Sequence, residues 1–447
     1  MREKSTCFMT ALCIRTFKTL SAALILLLTL GKFAGAQNPP SWNMADLGAD
    51  TTGKNKVTAL IAQAVEQAHL AGGGTIYFPA GEYLTGPIHL KSNITLHLSA
   101  GAVIRFSDDF DDYLPMVPSR WEGTDVINFS PLIYAWEAEN ITIEGRGMID
   151  GQGKKWWDYH HWLYSQPKDF RSKWQKKFNE KNREVLLPDI PDMITRGFCR
   201  PPFIQPMYCK NVRIEGITIV NSPFWTINPQ YCENVTVDGI TINNPESPNT
   251  DGINPESCRY VHIANCHISV GDDCITIKSG KDRAGRKMAA PCENITITNC
   301  TMLRGHGGVV IGSEMSGDVK KVTITNCVFE GTDRGIRIKS TRGRGGVVED
   351  IRVSNIIMKD IRLEAVKLNM FYSKTDPEPV SERTPVFQNI HIGGLTGTAK
   401  QAGFLLGLPE MKIRNIAFSD IRLDTEVGFT VNDAEDISFN QVLINTT

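Results

Sequence analysis

Three features of this 447-residue sequence predict an all-β solenoid, a parallel β-helix. First, a short motif recurs from Asn93-Ile94-Thr95-Leu96 to Asp436-Ile437-Ser438-Phe439, with copies about 21 to 39 residues apart between Asn211 and Asp436. Second, β-branched and polar residues alternate within each copy, the pattern of a strand with one face inward. Third, Gly, Asn and Asp break the strands at short intervals, so each copy closes as one coil that stacks on the next. A β-propeller is the rival all-β reading. Its blades need about 40 residues in four antiparallel strands, and several copies are too short.

Composition fits one long repeat domain. Hydrophobic residues make up 41% of the chain, enough for a large core. A solenoid can run this long as one domain. The formal net charge of −1 argues against a nucleic-acid binder, which is normally basic.

Taken in order, residues 1–36 read as an export signal. Arg2, Lys4, Arg15 and Lys18 precede the apolar run Leu20–Leu30, and Ala34-Gly35-Ala36 offers a cleavage site before Gln37. The run is too short to span a bilayer comfortably. The expected product is residues 37–447, a monomeric catalytic domain in the periplasm or outside the cell, with no membrane contact after cleavage. Val57–Leu70 places Leu60, Ile61, Ala64, Val65 and Ala68 at helical spacing and ends at Gly72-Gly73-Gly74. Short strands follow at Thr75–Phe78 and Ile88–Leu90. A short N-terminal helix in this place caps the open end of a solenoid core.

Two stretches interrupt the repeat, Asp108–Ser130 and the longer Lys154–Pro202. The second carries Trp156, Trp157, His160, His161, Trp162 and Tyr164 among many Lys and Arg. It reads either as a solvated excursion on the solenoid wall or as a wall of a binding cleft, since aromatic faces stack on sugar rings and cations pair with carboxylates. Of eleven cysteines, Cys7 and Cys13 lie in the signal. Cys266, Cys300 and Cys327 occupy one position of the repeat and read as a buried stack, not a metal site. Export permits disulfides, and Cys199 with Cys209 is one such pairing.

The chemistry lies between Asn249 and Ser340. Aligning the coils sets Asp251 beside Asp273, His306 and Asp333 in the place of Asp272, and Lys278, Gly312 and Lys339 in one row. Equivalent residues of stacked coils lie about 4.8 Å apart. Asp251, Asp272 and Asp273 should therefore meet, and like charges so close should raise at least one pKa. One protonated carboxyl and ionised neighbours are what an acid–base hydrolase needs. His306, between two glycines, can hydrogen-bond Asp272. Arg337 and Lys339 share a face, and cations beside acidic catalysts suggest an anionic substrate.

The set Asn249-Thr250-Asp251, Gly271-Asp272-Asp273, Gly305-His306-Gly307 and Arg337-Ile338-Lys339 resembles, in order, the motifs of the polygalacturonases of glycoside hydrolase family 28. The resemblance covers roughly Thr51 to Thr447 and implies a right-handed parallel β-helix. It implies metal- and cofactor-independent, inverting hydrolysis of α-galacturonosyl bonds in pectin, an anionic polysaccharide of the cell wall. By the same resemblance Asp272 is the general acid, Asp251 and Asp273 activate water, and His306 supports the acid. Arg337 and Lys339 bind the galacturonate carboxylate, with Tyr372 nearby. Asn249 belongs to the first motif, and Lys278 shares the row of Lys339. Inversion requires roughly 6.5–9.5 Å between acid and base, which Asp272 and Asp251 meet if their side chains splay. The long insertion favours release from a chain end over internal cleavage. Rhamnogalacturonan hydrolysis is the nearest alternative. A Ca²⁺-dependent pectate lyase and a non-catalytic carbohydrate-binding β-helix are the others.

Overall fold

The alternation of β-branched and polar residues produces a stack of parallel strands. The computed structural model describes residues 40–186, 198–244 and 248–446, with side chains to residue 183 in the first segment. The predicted export signal lies outside the described residues. One core column runs in unbroken register through Ile141, Val212, Val235, Val261, Ile295, Val322, Ile351, Ile390, Ile416 and Ile437. These are the apolar positions of the recurring motif, and all but the last are buried. The fold is thus a parallel β-helix, as the repeat predicts.

The Asn that opens many copies has a specific task. Asn93, Asn140, Asn211 and Asn234 all take left-handed backbone angles, φ 56–66°, which Asn tolerates better than most residues. Their side-chain amides also bond from coil to coil, at 2.8, 2.9 and 2.7 Å. The residue type follows from the turn, and the turn stacks through the residue.

The predicted cap forms as Thr58–Leu70, with Ile61, Ala64, Val65 and Ala68 buried. The Cys266–Cys300–Cys327 stack is buried as expected. A second column, Cys209, Cys232, Cys258 and Cys292, runs through the core and overlaps the first in the coils of Cys266 and Cys300; the amides of Cys232 and Cys258 donate to the next sulfur at 3.4 Å. The Cys199–Cys209 disulfide is not formed. Cys199 packs with Val126 and Phe178 in a satellite cluster, Cys209 belongs to the solenoid core, and both are free thiols.

The described parts of the two insertions pack together. The first forms an antiparallel hairpin, Val117–Trp121 with Thr124–Asn128. Its two-residue turn, Glu122-Gly123, has φ of 43° and 80°, the geometry that matches the twist of a tight hairpin. The second contains helices Lys154–Ser165 and Lys173–Leu186. Trp156 is fully buried against Phe110, Tyr113, Phe129 and Phe198, so it is core and not a sugar platform; Trp162 and Tyr164 are the exposed aromatics. Asn182 Oδ1 accepts from the Ile127 amide at 2.6 Å and its Nδ2 donates to the Ile127 carbonyl at 2.8 Å, strapping the second helix to the hairpin.

Candidate active site

The site is built on the strand of each coil that runs through Ile204, Ile227, Ile253, Ile275, Val309, Ile336 and Val366. These residues point inward, so their neighbours point out. Asp273 pairs with Gly307, which places His306 beside Asp272, and the Gly252 amide bonds the Asp273 carbonyl at 3.0 Å, which places Asp251 one coil before Asp273. The register fixes Lys278, Gly312, Lys339 and Asn369 in one row and Thr276, Val310 and Arg337 in the adjacent one.

Asp251, Asp272 and Asp273 converge, with one oxygen from each within 4.8 Å of the others. Asp272 and Asp251 are thus not splayed apart in this arrangement. Their closest oxygens stand nearer than the roughly 6.5–9.5 Å common to inverting pairs. Each carboxylate is tied in place. Asp251 Oδ2 accepts from Thr276 Oγ1 and Asn254 Nδ2, both at 3.1 Å. Asp272 Oδ1 meets His306 Nδ1 at 3.0 Å. Asp273 Oδ2 accepts from Lys339 Nζ at 2.8 Å, and Arg337 Nη1 lies 3.9 Å from Oδ1. Gly307 keeps the space beside them: a Cβ there would strike Val310 Cγ2 at 2.5 Å and stand 3.4 Å from Asp273 Oδ1.

Electrostatics divide the three. Burial, then the charge of Asp272, raises the Asp251 carboxyl well above 3.8. Burial alone would raise Asp272 too, but the hydrogen bond with His306 and the charge of Lys339 outweigh it and lower its pKa. The same bond raises His306 above 6.5 against burial. Asp272 and His306 thus share a proton as a pair.

The remaining predicted residues have distinct settings. Tyr372 is 47% exposed and lies beneath both cations, 5.8 Å from Arg337 and 5.2 Å from Lys339. Lys278 is buried and committed: its Nζ donates to Glu314 Oε2 at 2.7 Å and sits 4.6 Å above the Trp225 ring. Burial works against both charges of that pair, yet their attraction holds Glu314 well below and Lys278 above the ordinary values. Lys278 therefore offers a fixed positive field more than a free ammonium. Asn249 Oδ1 accepts from Arg200 Nη2 at 2.7 Å.

Four residues at this site were not foreseen: Arg200, Trp225, Glu314 and Glu122. Trp225 was legible, since extending the alignment back one coil puts it in the row of Asp251 and Asp273. Arg200 and Glu122 come from insertions, where no repeat frame exists. Arg200 is buried, donates to the Pro223 and Pro248 carbonyls, and is pushed down to about 10 by burial. Burial and the Arg200 charge push His160 down to about 3, so the second insertion presents a neutral imidazole on this side.

One end of the sheet face is closed. In the coil of Asp251 and the two coils before it, the outward residues Gln205, Asn228, Gln230, Asn254 and Glu256 are all 0% exposed. The hairpin covers them: Ser119 Oγ donates to Gln205 Oε1 at 2.6 Å, Gln205 Nε2 donates to the Arg120 carbonyl at 3.0 Å, and Arg120 Nε pairs with Glu256 Oε1 at 3.1 Å. Past Lys339 the equivalent positions Lys367, Asn369, Phe404 and Thr430 are half-buried and uncovered by any insertion among the described residues. The aspartates thus stand at the end of a cleft open on one side.

Residues 195–445 match the family model described as glycosyl hydrolases family 28, and residues 41–175 match one described as rhamnogalacturonase A/epimerase, pectate lyase-like. A probable polygalacturonase of Vitis vinifera is 31% identical over 414 residues, covering 89% of this chain and 78% of the relative. An endo-polygalacturonase of Pectobacterium carotovorum subsp. carotovorum is 27% identical, covering 78% of this chain and 80% of the relative. Among solved structures, a hyperthermoactive exopolygalacturonase from Thermotoga maritima is 34% identical with a TM-score of 0.82, covering 92% of this chain and 93% of that one.

Proposed function

The chain belongs to glycosyl hydrolases family 28, and from that membership we propose that it hydrolyses α-galacturonosyl bonds of polygalacturonate from a chain end, with inversion. The closed end of the cleft is the observation that carries the chain-end reading: a polymer cannot run through coils whose outward side chains are fully covered. Glycosidase activity on a galacturonate polymer follows the family and the relatives. The chain-end mode, the residue roles and the location outside the cytoplasm are our reading, as is the assignment of everything past residue 36 to one catalytic domain.

In this mechanism a galacturonosyl carboxylate docks on Arg337 and Lys339 beside Tyr372. Arg337 brings an unspent donor, since its buried Nε has no hydrogen-bond partner. Asp272 gives its proton to the glycosidic oxygen as the bond to the anomeric carbon breaks. Asp251 and Asp273 take a proton from the water that attacks that carbon. Without substrate the extra proton rests on Asp251, one short transfer from Asp272, while His306 holds Asp272 in position. The titration belongs to the cluster as a unit.

Product profiling tests the reading on polygalacturonate and on rhamnogalacturonan, with and without chelator. A short product of constant size from polygalacturonate, unaffected by chelator, is expected. A ladder of intermediate oligomers at early times contradicts the chain-end mode. Preference for rhamnogalacturonan contradicts the substrate. Ultraviolet absorbance from a new double bond, abolished by chelator, means a lyase.

A further inference from the structure

The second insertion carries a pocket that the mechanism above does not use. Its aromatic cluster does not end where burial ends. Phe110 is buried against Trp156, and on its other sides it meets Tyr159 and Trp174 edge-on at 5.3 and 5.1 Å. Tyr159 in turn meets Trp162 at 5.2 Å, and Trp162 is 44% exposed. Phe110, Tyr159, Trp162 and Trp174 wall a pocket of about 380 Å³, with Asp109, Lys155 and Asp158 at its rim. The walls are fixed: Trp174 Nε1 donates to Asp111 Oδ1 at 2.8 Å, and Lys155, Tyr159 and Trp162 form one stripe of the helix Lys154–Ser165.

Lys155 and Asp158 also line a second, larger groove of about 990 Å³. The strand row Asp150, Val220 and Asn243 lies along it, with Asn221 and Trp157 beside them. Trp157 Nε1 donates to the Ser222 carbonyl at 2.9 Å, which seats the helix on the solenoid. Residues 221–225 carry the chain from this face to the strand of Ile227 and Ile253, so the two grooves open on the face next to that of the aspartates. No residue that lines them takes part in the proposed hydrolysis.

The lining and the charge select a ligand. Aromatic rings stack on the apolar face of a sugar, and carboxylates and amides bond its hydroxyls. Lys155 Nζ stands 3.7 Å from Asp108 Oδ2, beyond hydrogen-bond distance, which leaves its donors for a carboxylate. Between residues 154 and 183, nine Lys and Arg stand against three Asp and Glu, in a chain of formal charge −1. Both volumes fall in the range of about 300–1,000 Å³ typical of ligand sites. We propose that the two adjoining grooves form a second, non-catalytic binding site for an anionic, uronic-acid polysaccharide, with a sugar ring stacked on Trp162 and Trp174 and its carboxylate on Lys155. The site keeps the polymer on the enzyme between cleavages, and only a long chain reaches both faces at once. That the polysaccharide is polygalacturonate rests on the proposed function; the site itself rests on its rings, its volume and its charge.

The test measures kcat/KM on polygalacturonate and on trigalacturonate for the full-length protein, Trp162→Ala and Lys155→Ala. Each variant should lose about three- to tenfold on the polymer, the worth of one such contact, and stay within about twofold on the trimer. Retention on immobilised polygalacturonate, read in the Asp272→Asn background so that the polymer is not consumed, should weaken by the same factor. The Lys155→Ala effect should vanish at about 1 M salt, and neutral galactan should not be retained. Thermal unfolding checks both variants; if Trp162→Ala fails to fold, Lys155→Ala carries the comparison. Equal losses on polymer and trimer, or no loss on either, overturn the inference. So does retention of galactan as strong as that of polygalacturonate. A dimer in sedimentation that Trp162→Ala dissolves would give the pocket to a second copy of the chain and overturn it too. If polygalacturonate is held through Trp162 and Lys155 but not cleaved, the proposed substrate fails and the site stands.

Discussion

Asp272 and Asp251 lie in one cluster yet titrate in opposite directions, and that contrast decides how their roles can be separated. Asp272→Asn should lower activity on polygalacturonate by at least about 10²-fold, the usual scale of acid–base catalysis. On an aryl galacturonide, whose leaving group needs no proton, it should recover much of that loss, while Asp251→Asn should not. Recovery by Asp251→Asn alone would exchange the two roles, an outcome that the raised pKa of Asp251 makes worth measuring. His306 supplies the pH dependence. Its pKa is raised above 6.5 by the bond to Asp272, and that of Asp272 is lowered below 3.8 by the same bond. The charged pair is therefore present above the acid range of Asp272 and lost as pH rises through the raised pKa of His306. The alkaline limb of kcat/KM should lie above pH 6.5 and shift to lower pH in His306→Ala. An unmoved limb would show that the His306–Asp272 pair does not set the alkaline side of the profile.

At the scale of elements, the hairpin is what turns an open sheet face into a blind cleft. Arg120 and Glu256 anchor it, with side chains at most 1% exposed. Arg120→Met would leave Glu256 buried without its cation, a loss of about 3–5 kcal/mol in unfolding free energy. The loosened hairpin should also let longer oligomers appear among the products; a stable variant with unchanged products would show that the anchor is dispensable. This element marks the boundary of what the sequence could tell. The rows Asp251–Asp273 and Asp272–His306, and the shared face of Arg337 and Lys339, were legible because a repeat turns sequence spacing into stacking distance. Partners from the insertions were not, since Asp108–Ser130 and Lys154–Pro202 have no frame. Nor was the commitment of Lys278 to Glu314, because a row says which residues are level and not which charges pair. Whether Asp251 and Asp272 splay was not legible for the same reason: Thr276, Asn254 and His306 decide where those oxygens point.

The solenoid as a whole stands on stacked apolar columns and stacked turns, without covalent staples. All nine cysteines among the described residues are buried free thiols. They should resist a thiol reagent in the native protein and react together on unfolding, and reductant should leave the unfolding temperature unchanged. A drop with reductant would reveal a bridge. The same stacking places three carboxylates at the blind end of a one-sided cleft, and the central claim is that this arrangement hydrolyses polygalacturonate from its end with inversion. Time-resolved proton NMR of polygalacturonate digestion tests both halves together. The first new anomeric signal should belong to a short free saccharide of constant size, in the β configuration, with the α form growing in later by mutarotation. An initial α signal, as expected of a retaining pair at this close spacing, or early signals from a spread of oligomer ends, would contradict it.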